Sequence, residues 1–350
     1  MKKSPWPIWR ERLVWFVRGN GYAKRLILRQ SKVLFRWNSM PSEIELGLTF
    51  RCQCTCPQCS VWKPVGANDD GVLTTDEAKD LVDQATHLGC WRISFFGGEP
   101  LLRKDLPELI NYAHRKGMLT VVTTNGLQLD AQMVETLKNA GLGFCRVSID
   151  SPDPEIHDSI RGIKGLFDRC MKGMDLLAEA GIETQLSTVA FRENLQDNRL
   201  VKLFDIGRAH RARTVLVLFP MVSGKWADSV DRLLTREEED YVRKISLEYD
   251  SKYVVVELPR SDTICRAQKK LQLYVSPYGD VSPCSPLLNT YGNIRQEPLE
   301  DLWNRLRTQF TEITPGVCPV NAPSFRTKYM SDRTSGLLDT EPGDKPARVE

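Results

Sequence analysis

The chain has 350 residues, of which 41% are hydrophobic and 27% are charged. This length and this apolar fraction suffice for one large or two medium domains and exclude a disordered chain. Charges interrupt every apolar run before it reaches the roughly 18 residues that a membrane-spanning helix needs. The N-terminus does not have the pattern of a cleavable export signal, so the ten cysteines favour reduced thiols or metal clusters over disulfides. We therefore expect a cytoplasmic protein.

The charge is concentrated in the N-terminal extension, residues 1–42. Residues 1–37 contain ten lysines and arginines and a single acidic residue, although the whole chain has a net charge of only +3. Two interpretations remain open for this basic, tryptophan-rich segment. A helix with Trp9, Leu13, Phe16 and Val17 on one face could pack against the bottom of a barrel, or could lie on a membrane or another anionic partner.

From Glu43 onward, short β-branched runs alternate with amphipathic stretches of helix length, which is typical of βα units and a parallel sheet. Thr74 supplies a helix cap before the first of these stretches. The predicted strands cover residues 43–50, 91–96, 118–124, 143–149, 183–189 and 213–219. The predicted helices cover residues 75–88, 105–116, 130–140, 166–180 and 194–209. These elements form six βα units over residues 43–220.

Four cysteines lie within eight residues directly after the first predicted strand. Three of them, Cys52, Cys56 and Cys59, have the spacing CxxxCxxC. Because cysteine thiolates ligate iron–sulfur clusters, three on one short loop can hold three corners of a 4Fe-4S cube and leave the fourth iron open. Cys54 does not fit this register, so we do not expect it to be a ligand.

This spacing resembles that of the radical S-adenosylmethionine (SAM) enzymes, in which the open iron chelates the amino and carboxylate groups of SAM. Further motifs of that superfamily follow in its order, each directly after a predicted strand, and the resemblance covers roughly residues 43–220. They are Gly97-Gly98-Glu99, Thr124-Asn125-Gly126, and Ser148-Ile149-Asp150 with Arg161 beyond it. The resemblance implies an α/β fold, a partial (β/α)6 TIM-like barrel, with the motifs at one mouth where the strands end.

The resemblance also implies roles for these residues. Cys52, Cys56 and Cys59 would be the catalytic ligands of the first cluster, and Glu99 would hold the methionyl amine. The other cofactor-binding candidates are Gly97, Gly98, Thr124, Asn125, Ser148, Asp150 and Arg161. Ser148 and Asp150 would contact the ribose or carboxylate of SAM, and Arg161 would pair with the methionyl carboxylate. Asp150 could instead cap the following turn.

A second group of cysteines follows a change of pattern beyond Pro220. Cys265, Cys284 and Cys318, with Gly279 between the first two, resemble part of a SPASM or shorter twitch domain. Such domains carry an auxiliary 4Fe-4S cluster in many peptide-modifying relatives, and this implies a small α+β extension over residues 221–321. Only three ligands are visible. The auxiliary cluster therefore has an open iron or a non-cysteine ligand, or it has been lost and the three are ordinary buried thiols on a hairpin.

Other features give simpler predictions. Cys90, Cys145 and Cys170 fall on or beside predicted barrel elements, so we expect them in the core. Residues 322–350 are rich in charges, proline, serine and glycine, which predicts a loosely ordered tail. No glycine-rich phosphate loop is present, and we expect no nucleic-acid partner.

Three functional alternatives remain. The first is a radical SAM enzyme that takes a hydrogen atom from a peptide or protein, with an electron donor such as flavodoxin or ferredoxin. The second is radical dehydrogenation or modification of a small molecule or lipid. The third is a non-catalytic iron–sulfur redox protein, for which the Gly97 and Thr124 motifs would have no evident use. A zinc site or disulfide framework is disfavoured because no second cysteine or histidine pair lies near the first loop.

The two interpretations of the basic N-terminus predict different results in liposome co-sedimentation. If the segment packs on the barrel, the full chain and a truncation starting at Pro41 should bind anionic liposomes equally weakly. If it lies on membranes, only the full chain should sediment, because its basic side chains attract anionic lipid. No difference between the two proteins would end the membrane hypothesis.

Overall fold

The computed structural model describes residues 40–61, 69–257, 265–287, 289–311 and 318–329. The basic segment 1–37 lies outside the described residues, as does the distal part of the predicted tail. Within the described residues no helix is long and apolar enough to cross a membrane.

The centre of the described structure is one sheet of nine strands in the order β7-β6-β5-β4-β3-β2-β1-β8-β9. Every neighbouring pair is parallel except β8 and β9, which are antiparallel. The strands are β1 (Glu43–Gly47), β2 (Arg92–Phe96), β3 (Leu119–Thr124), β4 (Phe144–Ser148), β5 (Glu183–Val189), β6 (Thr214–Leu218), β7 (Val254–Glu257), β8 (Gln272–Val275) and β9 (Val281–Ser282). The six predicted strands are thus confirmed, and β7 and β9 are the edges of an open, partial barrel.

Helices connect the strands and cover the outer face of the sheet. They are α1 (Thr75–Leu88), α2 (Leu106–Arg115), α3 (Ala131–Ala140), α4 (Pro154–Arg161), α5 (Leu166–Glu179), α6 (Arg199–Ala209), α7 (Arg236–Asp250), α8 (Leu299–Gln309) and α9 (Pro323–Tyr329). Helix α1 begins with the predicted cap, in which Thr74 accepts a bond from the Glu77 N–H. It ends at Gly89, whose φ of 99° is left-handed and therefore suits glycine.

The two faces of the strands differ in polarity, and this difference creates the site. In β1, the fully buried Ile44 and Leu46 belong to the apolar core between sheet and helices, whereas Glu43 and Glu45 line a cavity on the other face. Closed TIM barrels fill their interior with branched apolar side chains. Here the interior face of the sheet is polar around β1, so the barrel interior contains a cavity instead of a packed apolar core.

Two predictions needed correction, and one helix was missed. The helix predicted over residues 194–209 begins only at Arg199, because Asp197 and Asn198 both have positive φ and separate it from a short 3₁₀ turn. Helix α4 was not predicted. Residues 323–329, which we expected in a loosely ordered tail, form α9 with Phe325 buried.

The sheet also does not end with the six predicted units. β8, from the C-terminal segment, pairs in parallel with β1, with Glu43 opposite Gln272 and Glu45 opposite Tyr274. The second cysteine group is therefore attached to the same sheet that carries the first.

The packing of α8 gives a stability prediction. Trp303 of α8 is 1% exposed, and the first backbone N–H of this helix donates to the Gln84 side chain of α1 at 2.7 Å. Trp303→Ala should lower the free energy of unfolding by about 3–5 kcal/mol, because truncation removes apolar burial and leaves a cavity. Chemical denaturation measures this loss of stability. The control Leu247→Ala shortens a side chain that is 57% exposed, so its free energy of unfolding should stay within about 0.5 kcal/mol of that of the native chain. Equal effects of the two changes would contradict this packing.

Candidate active site

A single cavity of about 720 Å³ occupies the open barrel and reaches both groups of cysteines. Its wall includes all four cysteines of the first loop and the three of the C-terminal group. The predicted motif residues lie at the carboxyl ends of β2, β3 and β4 and, for Arg161, on helix α4. Those that line the cavity are Gly97, Gly98, Thr124, Asn125, Ser148, Asp150 and Arg161.

The first cysteine loop brings its sulfur atoms close together. Cys54 and Cys56 are each 8% exposed, and the Cys54 thiol hydrogen-bonds to Cys52 and Cys56. These bonds raise the pKa of Cys54, whereas the bond from Cys54 and the nearby Arg161 charge lower the pKa of Cys56 to about 7. Burial raises the pKa of Cys59. Because thiolate is the form that ligates metal, the lowered pKa prepares Cys56 to bind iron.

Two glycines fix the loop against the barrel. The Gly98 N–H donates to the Thr49 carbonyl at 2.7 Å, and the Glu99 N–H donates to the Arg51 carbonyl at 2.8 Å. A Cβ added to Gly98 would lie 2.1 Å from the Arg51 oxygen, and one added to Gly97 would lie 2.5 Å from the Thr49 oxygen. Both positions therefore exclude side chains because the cysteine-loop backbone occupies that space.

Glu99 is 1% exposed and its carboxylate is held by three donors. The Thr124 hydroxyl donates to Oε1 at 2.7 Å, the Leu101 N–H to Oε1 at 3.1 Å, and the Asn125 N–H to Oε2 at 2.7 Å. Burial nevertheless dominates and raises the pKa of Glu99 to about 7. A cation placed beside this carboxylate would favour its charged form, as the predicted contact with the methionyl amine requires.

Asn125 joins Glu99 to the cysteine loop. Its side-chain Nδ2 donates to Gln53 Oε1 at 3.2 Å and contacts Cys52 Sγ at 3.7 Å. Its carbonyl accepts a bond from the buried Cys170 thiol at 3.2 Å. Cys170 therefore belongs to the core that supports the site, and Cys90 and Cys145 are likewise core residues at 1% and 0% exposure, as predicted.

Asp150 forms a second link between barrel and loop, and sequence reasoning missed its partners. Its Oδ2 lies 2.6 Å from Arg161 Nη2 and accepts a 2.6 Å bond from Gln58 Nε2, and Gln58 lies between Cys56 and Cys59. The Arg161 carbonyl accepts the Thr55 N–H at 3.0 Å. In this structure Asp150 and Arg161 thus pair with each other and clamp the loop from both sides.

Helix α4 presents Arg161 to this clamp. The Asp150 N–H donates to Nδ1 of His157, which is fully buried, and burial lowers the pKa of His157 to about 4, so the ring is neutral at pH 7. The only sequence signal for this ion pair was that Asp150 is followed, eleven residues later, by Arg161. Ser148 lies at the end of β4 and lines the cavity, and its predicted contact with SAM stays a prediction.

The C-terminal cysteines lie near one another across the cavity. Burial raises the pKa of Cys318 to about 12, and burial with the charges of Cys318 and Cys265 raises that of Cys284. Within the described residues, no three His, Cys, Asp or Glu side chains converge as ligands of one metal ion. The ligands of a cube bind different irons and need not converge in that way.

The donor sets fit iron–sulfur clusters better than the alternatives. None of the ten cysteines, all of which lie within the described residues, forms a disulfide, so the disulfide alternative is wrong for this structure. Cys52, Cys56 and Cys59 would hold the first cluster, beside a buried carboxylate and two backbone glycines, and Cys265, Cys284 and Cys318 would hold the second.

The comparisons with known proteins agree with this donor set. The profile described as "Radical SAM superfamily" matches residues 46–204, and an "Iron-sulfur cluster-binding domain", SPASM, matches residues 265–326. The AdoMet-dependent heme synthase of Methanosarcina barkeri is 30% identical over 297 residues, covering 75% of this chain and 82% of the relative. This chain belongs to the radical SAM superfamily. It therefore uses a 4Fe-4S cluster and SAM, and its SPASM region implies an auxiliary iron–sulfur cluster.

Other relatives differ in what their names say they act on. The PqqA peptide cyclase of Rhizobium meliloti is 30% identical over 281 residues, covering 75% of this chain and 73% of the relative. Among solved structures, Streptococcus suis SuiB bound to the precursor peptide SuiA matches with a TM-score of 0.61 at 19% identity, covering 83% of this chain and 70% of SuiB. At that identity the likeness shows the fold alone.

The raised pKa of Glu99 predicts a pH dependence of stability in the absence of SAM. Folding raises this pKa from about 4.5 to about 7, so the folded state binds a proton more tightly than the unfolded state. Stability from this group is fully present below pH 4.5 and is lost as the pH rises towards 7, by about 3 kcal/mol. Burial of His157, whose pKa is lowered to about 4, acts in the opposite direction over much of this range, so the effect of Glu99 is measured as a difference between proteins. In urea denaturation, the stability of the native chain relative to Glu99→Gln should fall by about 3 kcal/mol between pH 4.5 and 7, whereas its stability relative to the surface control Glu108→Gln should stay nearly constant. Equal pH slopes in all three proteins would contradict the assignment.

Proposed function

We propose that this enzyme takes a hydrogen atom from a substrate bound between its two cysteine groups. Cys52, Cys56 and Cys59 would hold the first 4Fe-4S cluster, which would supply the one electron that reductive cleavage of SAM requires. The products would be methionine, 5′-deoxyadenosine and a substrate that has lost one hydrogen atom. The electron would come from a cytoplasmic donor such as flavodoxin or ferredoxin. The single observation that carries this proposal is that both cysteine groups and the buried Glu99 turn open onto, or lie beside, one cavity.

The residues of the first cysteine loop and those around it would have distinct roles. Cys52, Cys56 and Cys59 would bind three irons, and Glu99 would accept the methionyl amine while Thr124 and Asn125 keep its carboxylate oriented. Asp150 holds Arg161 and Gln58 so that the loop keeps its position during turnover. Arg161 lines the cavity beside Asp150, and we propose that it shares its charge with the methionyl carboxylate when SAM is present.

We propose a peptide or protein as the substrate. A relative named PqqA peptide cyclase aligns with three quarters of this chain, and the fold is shared with SuiB, which has been solved with its precursor peptide. The cavity would admit a peptide side chain. The auxiliary cysteines line the same cavity, and a cluster held by them would accept the electron that leaves the substrate after hydrogen abstraction.

A second candidate is a small molecule that carries carboxylates on an apolar body. The cavity lining includes an apolar group, Leu216, Leu218 and Phe219, and the cationic Arg146, whose Nε donates to Gln185 at 2.8 Å. Relatives named heme synthase and Fe-coproporphyrin III synthase, both of Methanosarcina barkeri, accord with such a molecule. The latter is 33% identical over 202 residues, covering 58% of this chain and 50% of the relative.

Paired cysteine substitutions test the first cluster. Cys56→Ala should abolish 5′-deoxyadenosine formation from SAM and dithionite, because an iron loses its ligand. Cys54→Ala should retain most of it, since Cys54 contacts its neighbours but falls outside the CxxxCxxC register. Liquid chromatography of the products measures both, and turnover surviving in Cys56→Ala would remove the central claim.

The substrate class is tested by adding candidate substrates and measuring which of them raise the yield of 5′-deoxyadenosine above the yield without substrate. We expect the peptide fraction of a cytosolic extract to raise it several-fold, and prior digestion of that fraction with a nonspecific protease to abolish the increase. Fe-coproporphyrin III should have no effect. An increase with the porphyrin alone, weakened by Arg146→Gln, would instead favour the second candidate.

A further inference from the structure

A buried carboxylate with two partly exposed arginine partners lies at the amino end of the barrel, away from the motif loops. The Glu43 side chain of β1 is 7% exposed, and its two oxygens face two different arginines. Arg92 Nη1 of β2 lies 3.1 Å from Oε2, and Arg266 Nε lies 3.0 Å from Oε1. A buried carboxylate is stable only when it is paired, so each partner depends on the others. We call Arg92, Glu43 and Arg266 the ion triad.

The triad reaches the auxiliary site through the chain itself, because Arg266 directly follows Cys265. A tight turn begins there, with the Lys269 N–H donating to the Cys265 carbonyl at 2.9 Å and the Leu271 N–H to the Arg266 carbonyl at 3.0 Å. Within this turn the Gln268 N–H donates to the Cys265 sulfur at 3.5 Å. The position of the thiol is therefore set by the position of the turn.

The turn is fixed to β1 at two points. Arg266 Nη2 donates to the Ser42 hydroxyl at 3.3 Å, and that hydroxyl donates to the Leu271 carbonyl at 2.8 Å. The same carbonyl accepts the Ser42 N–H at 2.7 Å. The Arg266 guanidinium supplies both the charge and the geometry that join this end of the turn to Glu43.

We propose that the ion triad positions Cys265 as a ligand of the auxiliary cluster and sets that cluster's reduction potential through the Arg266 charge. Arg266 lines the same cavity as Cys265, Cys284 and Cys318, so its charge acts on whatever these thiols hold. A cation near an iron–sulfur cluster favours the reduced, more negative state, and an anion opposes it. This inference rests on the proposed assignment of Cys265, Cys284 and Cys318 as ligands.

The test uses the full chain with Cys52, Cys56 and Cys59 all changed to alanine, so that only auxiliary iron remains. Arg266→Met, Arg266→Lys and Glu43→Gln are added to this background, which is reconstituted anaerobically. Iron content, the electron paramagnetic resonance spectrum and the midpoint potential are measured. Arg305→Met is the matched control, since Arg305 and Arg266 are both 37% exposed and glutamate-paired, but Arg305 does not line the cavity.

We expect Arg266→Met and Glu43→Gln to lose at least half of the auxiliary iron, Arg266→Lys to restore part of it, and Arg305→Met to retain all of it. In the cluster that remains, the midpoint potential should fall in Arg266→Met and rise in Glu43→Gln, because a cation is removed in one and an anion in the other. A purely structural role would not give opposite shifts.

Three results would overturn the inference. Full iron with unchanged spectrum and potential in Arg266→Met and Glu43→Gln would show that the triad does not act on the cluster, and would leave the ligand assignment intact. Equal iron loss in Arg305→Met would show only a general loss of fold. Absence of iron in the parent background would overturn the ligand assignment and the inference together, whereas 5′-deoxyadenosine formation by the chain with its native cysteines tests the proposed function separately.

Discussion

The close approach between the cysteine-loop backbone and the Gly97-Gly98 turn is the constraint on which the site depends. The Arg51 carbonyl occupies the place of a Gly98 side chain, and the same carbonyl accepts the Glu99 N–H. The contact at the Arg51 carbonyl thus fixes the position of the cysteine loop relative to the Glu99 carboxylate. Asn125 and Asp150 then tie the loop to β3 and β4, so the thiols are placed by the barrel and not by the loop alone.

The second requirement is a barrel that is open inside. Polar residues such as Glu45, Arg146 and Gln185 occupy inward positions that a closed barrel would fill with apolar side chains. These groups need partners, and the structure supplies them along the wall, as when Gln185 accepts from Arg146 and donates to Thr214. The cost of a polar interior is offset by the apolar core on the other face of the sheet, between strands and helices. The cavity therefore exists without loss of a core.

Much of this could be predicted from sequence because local patterns determined it. Runs of β-branched residues predicted the strands. The cysteine, glycine and asparagine motifs follow the carboxyl ends of these strands, where the loops of a parallel sheet lie close together. The pairing of β8 with β1 had no such signal, since it joins residues more than 200 positions apart. The break before α6 depended on left-handed backbone at Asp197 and Asn198, which their side chains permit but do not require.

The electrostatic roles were the hardest to predict. Arg161 was expected to face SAM, and Asp150 either to face SAM or to cap the following turn. In the structure Asp150 pairs with Arg161 and accepts a bond from Gln58, a residue that no motif marks. Likewise Glu43 and Arg266 carry no recognisable pattern, and their relation follows only from the β1–β8 pairing. Charge pairing between distant segments is a property of the fold, so it is visible only once the register is known.

The central claim is that each of the two cysteine groups binds its own 4Fe-4S cluster, and quantitative Mössbauer spectroscopy tests it most directly. After anaerobic reconstitution, the native chain should contain about eight irons as two cubanes, and the chain with Cys52, Cys56 and Cys59 changed to alanine should contain about four. One cubane in the native chain, absent from the variant, would contradict the auxiliary cluster. Iron content unchanged by the three substitutions would contradict the assignment of the first loop.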